Sequence, residues 1–373
     1  MKKSILAIVT IAGLAFTSCS NDDGPSTPKS TFELKVDDLK GNINDGTVTL
    51  DPSQTYTLTG GLVVKSGATL TIPAGTTIKS DSRDGIDPNT LYIAVERGAT
   101  ININGEANNA VVMTSGKASP AEGNWGGLII CGDAKVNTGD NGTSEVGGLS
   151  YGGNNNADSS GKINFLRIEY TGSKYSSNKE YNGVSFFGVG SGTEVTNIYA
   201  FESGDDGVEF FGGAVNASNI AIVNAYDDSL DFADGYQGTI TNVYISGVSK
   251  AGVEGSNNLD NDIATPLTNA KLINVSIVKG TDAKFTASEQ AINFKEGGGK
   301  HTYTNLFVSG ITTFAKLDTG TGATARISAG DFKVNGKNFV STSNLTTDYI
   351  STETGAGNGA TIPSWASKIQ KAI

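Results

Sequence analysis

Asn197-Ile198-Tyr199-Ala200-Phe201-Glu202-Ser203-Gly204-Asp205-Asp206-Gly207-Val208-Glu209-Phe210 is followed by Asn219-Ile220-Ala221-Ile222-Val223-Asn224-Ala225-Tyr226-Asp227-Asp228-Ser229-Leu230-Asp231-Phe232, each residue 22 positions after its counterpart. Two patterns run in phase here. The first is Asn, then apolar, any residue, apolar. It recurs at Asn242-Val243-Tyr244-Ile245, Asn274-Val275-Ser276-Ile277 and Asn305-Leu306-Phe307-Val308, and with a looser frame at Asn164-Phe165-Leu166-Arg167-Ile168. Steps of 22 and 23 residues join Asn197, Asn219 and Asn242, while outer steps of 33, 32 and 31 read as one repeat plus an inserted loop. The second pattern, Val208-Glu209-Phe210 and Leu230-Asp231-Phe232, continues at Gly252-Val253-Glu254. Asn182-Gly183-Val184-Ser185-Phe186 precedes it and Gln290-Ala291-Ile292-Asn293-Phe294 follows it.

A period of this length holds two or three short half-buried strands joined by Asn, Gly and Asp turns. One such coil cannot enclose a core. Coils stacked about 4.8 Å apart bury the apolar face and pair every backbone group. The Asn series then reads as a side-chain ladder along one turn. A β-sandwich would not keep two different patterns in phase. The expected fold is all-β, a single right-handed parallel β-helix of about 12 coils and roughly 50–60 Å. Excursions rich in Gly, Asn, Ser and Asp are expected at 80–90, 136–162, 172–182 and 255–270. Trp365, Ile369 and Ile373 share one face of a short C-terminal helix (about 362–373), expected to cover an exposed end coil.

Short strands launched from glycine turns fill the N-terminal third: Gly67-Ala68-Thr69-Leu70-Thr71-Ile72, Gly75-Thr76-Thr77-Ile78 and Gly98-Ala99-Thr100-Ile101-Asn102-Ile103. These resemble the opening coils of pectate-lyase-like β-helix proteins. Gly123-Asn124-Trp125-Gly126-Gly127-Leu128-Ile129-Ile130 resembles a segment of Bacteroidota surface β-helix lipoproteins. The resemblance spans roughly residues 45 to 345 and implies fold far more than activity, because this fold hosts lyases, hydrolases, adhesins and binding proteins.

The first residues set the compartment. Lys2 and Lys3 precede an apolar stretch from Ile5 to Phe16, too short to span a bilayer, where ~20 apolar residues are needed. Phe16-Thr17-Ser18-Cys19 resembles a bacterial lipobox, with Phe16 in place of the usual Leu. Residues 1–18 are therefore expected to be a signal peptide, with Cys19 lipidated. Ser20-Asn21-Asp22-Asp23 resembles the signal that sends such lipoproteins to the outer face of the outer membrane. Residues 19–33 form the anchor and a flexible tether containing Pro25, Ser26, Thr27, Pro28 and Ser30; the β-helix domain runs from 34 to 373. With Cys19 lipidated, Cys131 has no partner for a disulfide and reads as a buried thiol after Leu128-Ile129-Ile130.

Net charge is −11, and −13 once Lys2 and Lys3 are removed (−11 minus 2). That disfavours nucleic acid and anionic headgroups and suits neutral glycans, or anionic ones bridged by a cation. No membrane span is expected in the mature chain.

Strand alternation puts Val208 and Phe210 inward and Glu209 outward, so Glu209, Asp231 and Glu254 stack about 5 Å apart on one exposed sheet. Like charges this close demand a proton or a cation. Asp205, Asp206, Asp227 and Asp228 in the preceding turns, with Asp231, are candidate ligands for Ca²⁺, which takes six to eight oxygens; Asp234 lies just beyond. β-helix pectate lyases hold Ca²⁺ on such a column, and the resemblance implies the same use here. Equally, Asp-Asp-Gly and Asp-Asp-Ser are good turn formers, and outward acids keep an open sheet soluble. A lyase also wants a Lys or Arg base, for which Lys250, Lys295 and Arg167 are candidates. Polygalacturonases carry an Asp-Asp pair like Asp205-Asp206, but also Gly-His-Gly and Arg-Ile-Lys motifs, which this chain lacks. Its one histidine, His301, reads as a surface or turn residue. Tyr170, Tyr175, Tyr181, Tyr199, Tyr226, Tyr236 and Tyr244 cluster in the middle coils, and aromatic faces stack on sugars.

The expected function is polysaccharide binding through Glu209, Asp231, Glu254, Tyr226 and Tyr236, assisted by Ca²⁺. The alternatives are a polysaccharide lyase or glycoside hydrolase using Glu209, Asp231 and Lys295, and an adhesive stalk with no small-molecule site.

Overall fold

The computed structural model describes residues 28–139, 141–286, 290–317, 321–339 and 359–370. The signal peptide, Cys19, the Ser20–Asp23 run and the last three residues of the expected cap lie outside them.

The strands stack as a right-handed parallel β-helix. One ladder runs through Thr47–Thr49, Thr69–Pro73, Thr100–Asn104, Gly161–Glu169, Glu194–Phe201, Asn216–Ala225, Thr239–Val248, Asn269–Val278, Lys300–Ser309 and Phe332–Val334. A second begins at Leu39–Ile43 and Thr55–Val64. It continues through Ile93–Val95, Leu128–Cys131, Val184–Phe187, Val208–Phe211, Asp228–Ala233, Ala251–Gly255, Gln290–Phe294 and Thr313–Leu317. Each ladder thus has ten strands among the described residues, fewer coils than the period predicts, because the inserted loops consume chain.

The long strands of the first ladder bend onto a third face at one left-handed residue each: Asn197, Asn219, Asn242, Asn274 and Asn305, with φ between 56° and 59°. Asn tolerates that conformation better than other chiral residues. The expected side-chain ladder is present: Asn219 Nδ2 donates to Asn197 Oδ1 at 2.9 Å, and Asn242 Nδ2 to Asn219 Oδ1 at 2.9 Å. Asn274 and Asn305 continue it. At the loosened frame the left-handed residue is Phe165 (φ 49°), and the neighbouring Asn164 reaches over to accept from Asn197.

The core is one continuous stack of inward apolar residues, such as Val184, Val208, Leu230, Val253 and Ile292 in register. Beside them Phe186, Phe210, Phe232 and Phe294 form a column interrupted at Gly255. His301 fills that gap, its ring 4.8 Å from Phe232 and 4.7 Å from Phe294. His301 is therefore a core residue, not a surface one, and burial pulls its pKa down to about 3. Cys131 is a free buried thiol as expected, its pKa raised by burial.

The excursions fall where glycine and asparagine concentrate, including hairpins Gly142–Thr143/Ser150–Tyr151 and Lys174–Ser176/Lys179–Glu180. The C-terminal helix exists, Ser364–Gln370, but it does not cover an end coil. It lies on the side of the rod, with Ala366 and Ile369 packed among Tyr199, Ala221 and Tyr244. In the last coil a different helix, Thr321–Ala329, places Ala323 in the core and Ile327 against it.

Candidate functional site

Ser185, Glu209, Asp231, Glu254, Asn293 and Lys316 pair in register on successive strands of the second ladder. The outward acidic column is real. Its exposure is not: Glu209 is 8%, Asp231 7% and Glu254 2% accessible. The expectation of an open sheet fails because the protein's own excursions cover this face. Val136, Val146 and Tyr151 pack on Phe187 and Phe211, closing one side. Asn258, Leu259 and Lys295 wall the other. What remains is a pocket of about 300 Å³ over Glu209, Asp231 and Glu254.

Each carboxylate has a different environment. Glu209 Oε2 accepts from Asn182 Nδ2 at 2.5 Å. Glu254 Oε1 lies 2.8 Å from Lys295 Nζ, and Oε2 accepts from Asn293 Nδ2 at 2.6 Å. Asp231 Oδ1 is buried with no hydrogen-bond partner among the described residues. Burial, then the charge of neighbouring acids, raises the pKa of Glu209 and Asp231 well above the usual carboxylate range. Burial would raise Glu254 too, but the Lys295 charge and hydrogen bond outweigh it and hold it below its ordinary value. Burial and neighbouring charge thus favour the protonated form of Asp231, while Lys295 favours the ionised form of Glu254 beside it.

Asp234 and Tyr151 complete the rim. Tyr151 Oη donates to Asp234 Oδ2 at 3.1 Å, and burial pushes Asp234 up to about 6. Tyr151 and Glu145 were invisible as site residues in the sequence, because nothing in a loop's composition says which face it folds onto. Asn182 was legible only as the start of a repeat, not as a donor to Glu209.

The turn acids separate into two roles. Asp228 N donates to Asp206 Oδ1 at 2.8 Å and Asp206 N to Asn182 Oδ1 at 3.2 Å, a backbone-supporting ladder of the kind good turn formers make. Single oxygens of Asp206, Glu209 and Asp231 lie within 4.8 Å of one another, as do those of Asp205, Asp206 and Asp227. Asp228 joins neither group. It faces Lys250, whose Nζ is 3.4 Å from Asp228 and 2.8 Å from Asp227. That ammonium already offsets part of the outer group's charge at Asp227, so the inner one is the better fit for a cation.

Of the three candidate bases, Lys295 alone reaches the pocket. Lys250 is held at the turn. Arg167 lies on another face, paired with Glu169 and hydrogen-bonded to the Gln370 carbonyl of the C-terminal helix. Tyr236 does not flank the site: it is fully buried and donates to Val215 O at 2.8 Å. Its register puts it beside Phe210 and Phe232 in the core, so it cannot meet a glycan. Tyr181, Tyr199 and Tyr244 are also buried, whereas Tyr226 is exposed but lies away from the acidic pocket.

Fold and pocket together define a parallel β-helix protein with a loop-roofed acidic cleft on one sheet. The chain belongs to the pectate-lyase like beta helix domain family, whose sequence profile matches residues 41–370. Among solved structures it is similar to the crystal structure of Dettilon tailspike protein (gp208), at 13% identity and a TM-score of 0.32. That match covers 70% of this chain and 55% of the other, so it spans about half of that protein's length. No curated protein matches it. No helix among the described residues is long and apolar enough to cross a membrane.

Proposed function

We propose that the chain is a polysaccharide-binding lipoprotein, displayed on the outer face of an outer membrane through Cys19, whose acidic pocket receives part of a glycan. The observation that carries this is Asp231 Oδ1, a buried acceptor without a donor, at the floor of a pocket open to solvent. Such an acceptor is unfavourable unless a ligand donates to it or a cation sits on it. Sugar hydroxyls do the first. Ca²⁺ does the second, and Asp206, Glu209 and Asp231 would hold it, with water and sugar oxygens completing its shell.

The arrangement argues against a lyase. Its base would be Lys295, and the charges of Glu254 and Glu296 outweigh burial and raise its pKa, so it stays an ammonium. A second reading, glycoside hydrolysis, is favoured by one observation: Asp231, with its pKa pushed up, and Glu254, with its pKa held down, sit on adjacent strands in register, a candidate acid and base for such chemistry.

The test is to incubate the soluble domain with plant, algal and host glycans, with and without Ca²⁺, following both binding and new unsaturated or reducing ends. Binding without new ends is expected, and Asp231→Asn should abolish any Ca²⁺ effect. New reducing ends would establish the hydrolase instead. No binding to any glycan would leave a stalk.

A further inference from the structure

A second hollow, of about 480 Å³, lies at the N-terminal end of the strands whose middles floor the acidic pocket. Tyr226 lines it, two residues ahead of the strand Asp228–Ala233, together with Asn89, Glu122, Ser173 and Lys174.

Three observations point to a ligand. Tyr226 is 53% exposed, one of five large apolar or aromatic side chains left so among the described residues, with Val36, Tyr175, Leu259 and Ile263. Its ring meets Phe285 perpendicularly at 6.5 Å between centroids, so the contact is not a stack. Two acceptor oxygens in the same hollow, Asn89 Oδ1 and Glu122 Oε2, are buried and have no donor among the described residues. They come from separate excursions that the fold brings together beside Tyr226.

The chemistry that answers all three is an apolar ring face edged with hydroxyl donors. An anion would meet the Glu122 carboxylate. A free cation gains little, because Lys284 Nζ already lies 2.5 Å from Glu122 Oε1. We infer that this hollow is a second carbohydrate subsite taking a neutral sugar ring, with Tyr226 as its stacking platform and Asn89 Oδ1 and Glu122 Oε2 accepting its hydroxyls. The inference rests on the polysaccharide-binding reading above and adds to it a site on another set of turns.

The test is calorimetric titration of the full chain with cellohexaose, mannohexaose and xylohexaose. For whichever probe binds, Tyr226→Ala should weaken affinity about ten-fold, the scale of one lost aromatic contact, while Tyr226→Phe should change it less than about two-fold. Glu122→Gln, which keeps an acceptor, should retain binding, and Glu122→Leu should lose it. If the wild type binds and Tyr226→Ala binds equally well, this subsite is overturned while the acidic-pocket reading stands. If the wild type binds none of the three, the neutral-sugar subsite is overturned, while the acidic-pocket reading stands or falls on the wider glycan panel with and without Ca²⁺.

Discussion

Lys295 Nζ lies 2.8 Å from Glu254 Oε1, an ammonium 42% exposed against a carboxylate 3% exposed. This pair fixes the charge state of the pocket. Burial pushes the turn carboxyl Asp206 and the stacked Glu209 and Asp231 toward protonation, and acts on Glu254 in the same direction. Lys295, with lesser help from Lys250 and the Asp228 side chain, outweighs burial at Glu254 and holds its pKa below the ordinary value.

Lys295→Met keeps the aliphatic stem and removes the charge. Glu254 is then a buried carboxylate that keeps Asn293, the Asp228 side chain and the Lys250 charge but has lost its strongest ionising partner, so its pKa moves up. The expected loss is about 1–3 kcal/mol, the scale for a buried polar group deprived of its partner. Glu254→Gln in the same background should recover part of it. A denaturant-unfolding cycle over the wild type, both single variants and the double checks this. Strictly additive effects would show that the two groups are not energetically coupled.

The carboxylate column itself was legible in the sequence because register in a parallel ladder follows from period alone. Once Val208 and Leu230 align, Glu209 and Asp231 must stack. The Asn ladder was legible for the same reason. What period cannot carry is anything set by the excursions. The hairpin bearing Val146 and Tyr151 folds over the acids and turns an open face into a pocket. Tyr236, following Asp234-Gly235 at a strand end, turns back into the core, where alternation has already ceased to govern direction. His301 failed for a subtler reason. A polar residue opening a strand reads as outward, and only the three-dimensional gap at Gly255 gives it an inward place.

Stability should depend on pH in two opposing ways. Burial holds His301 at about 3 in the folded chain, against 6.5 as its ordinary value. The folded state therefore binds fewer protons, so this term is harmless above pH 6.5 and lowers stability as pH falls from there toward 3. Asp205 and Asp234 are pushed up by burial to about 8 and about 6, from 3.8. Here the folded state binds more protons. Their contribution is full below about 3.8 and is lost as pH rises through 6 and then 8. Each group adds a slope of up to ~1.4 kcal/mol per pH unit inside its window. Between pH 4 and 6 the two carboxyl terms outweigh the His301 term, so thermal unfolding across pH 4 to 9 should show a midpoint falling toward pH 8, with Asp205→Asn flattening that fall and His301→Phe steepening its part below pH 6.5. A wild-type midpoint that rises steadily from pH 4 to 9 would contradict the assignment of the carboxyls.

Gly255 and His301 make the remaining prediction. A Cβ built on Gly255 would stand 1.9 Å from His301 Cε1, closer than any two such atoms can approach. The imidazole thus occupies the volume that a side chain at 255 would need, completing the ring column between Phe232 and Phe294. Gly255→Ala alone overpacks the core and should destabilise by about 1–3 kcal/mol. His301→Ala alone leaves a cavity among aromatic rings and should destabilise by about 2–4 kcal/mol. In the double variant the added methyl enters space the imidazole has left, so the combined loss should fall short of the sum by at least about 1 kcal/mol. Equilibrium unfolding of the four proteins measures that coupling. A sum that holds without remainder would mean the two positions do not share one space, and the column would owe its continuity to something other than His301.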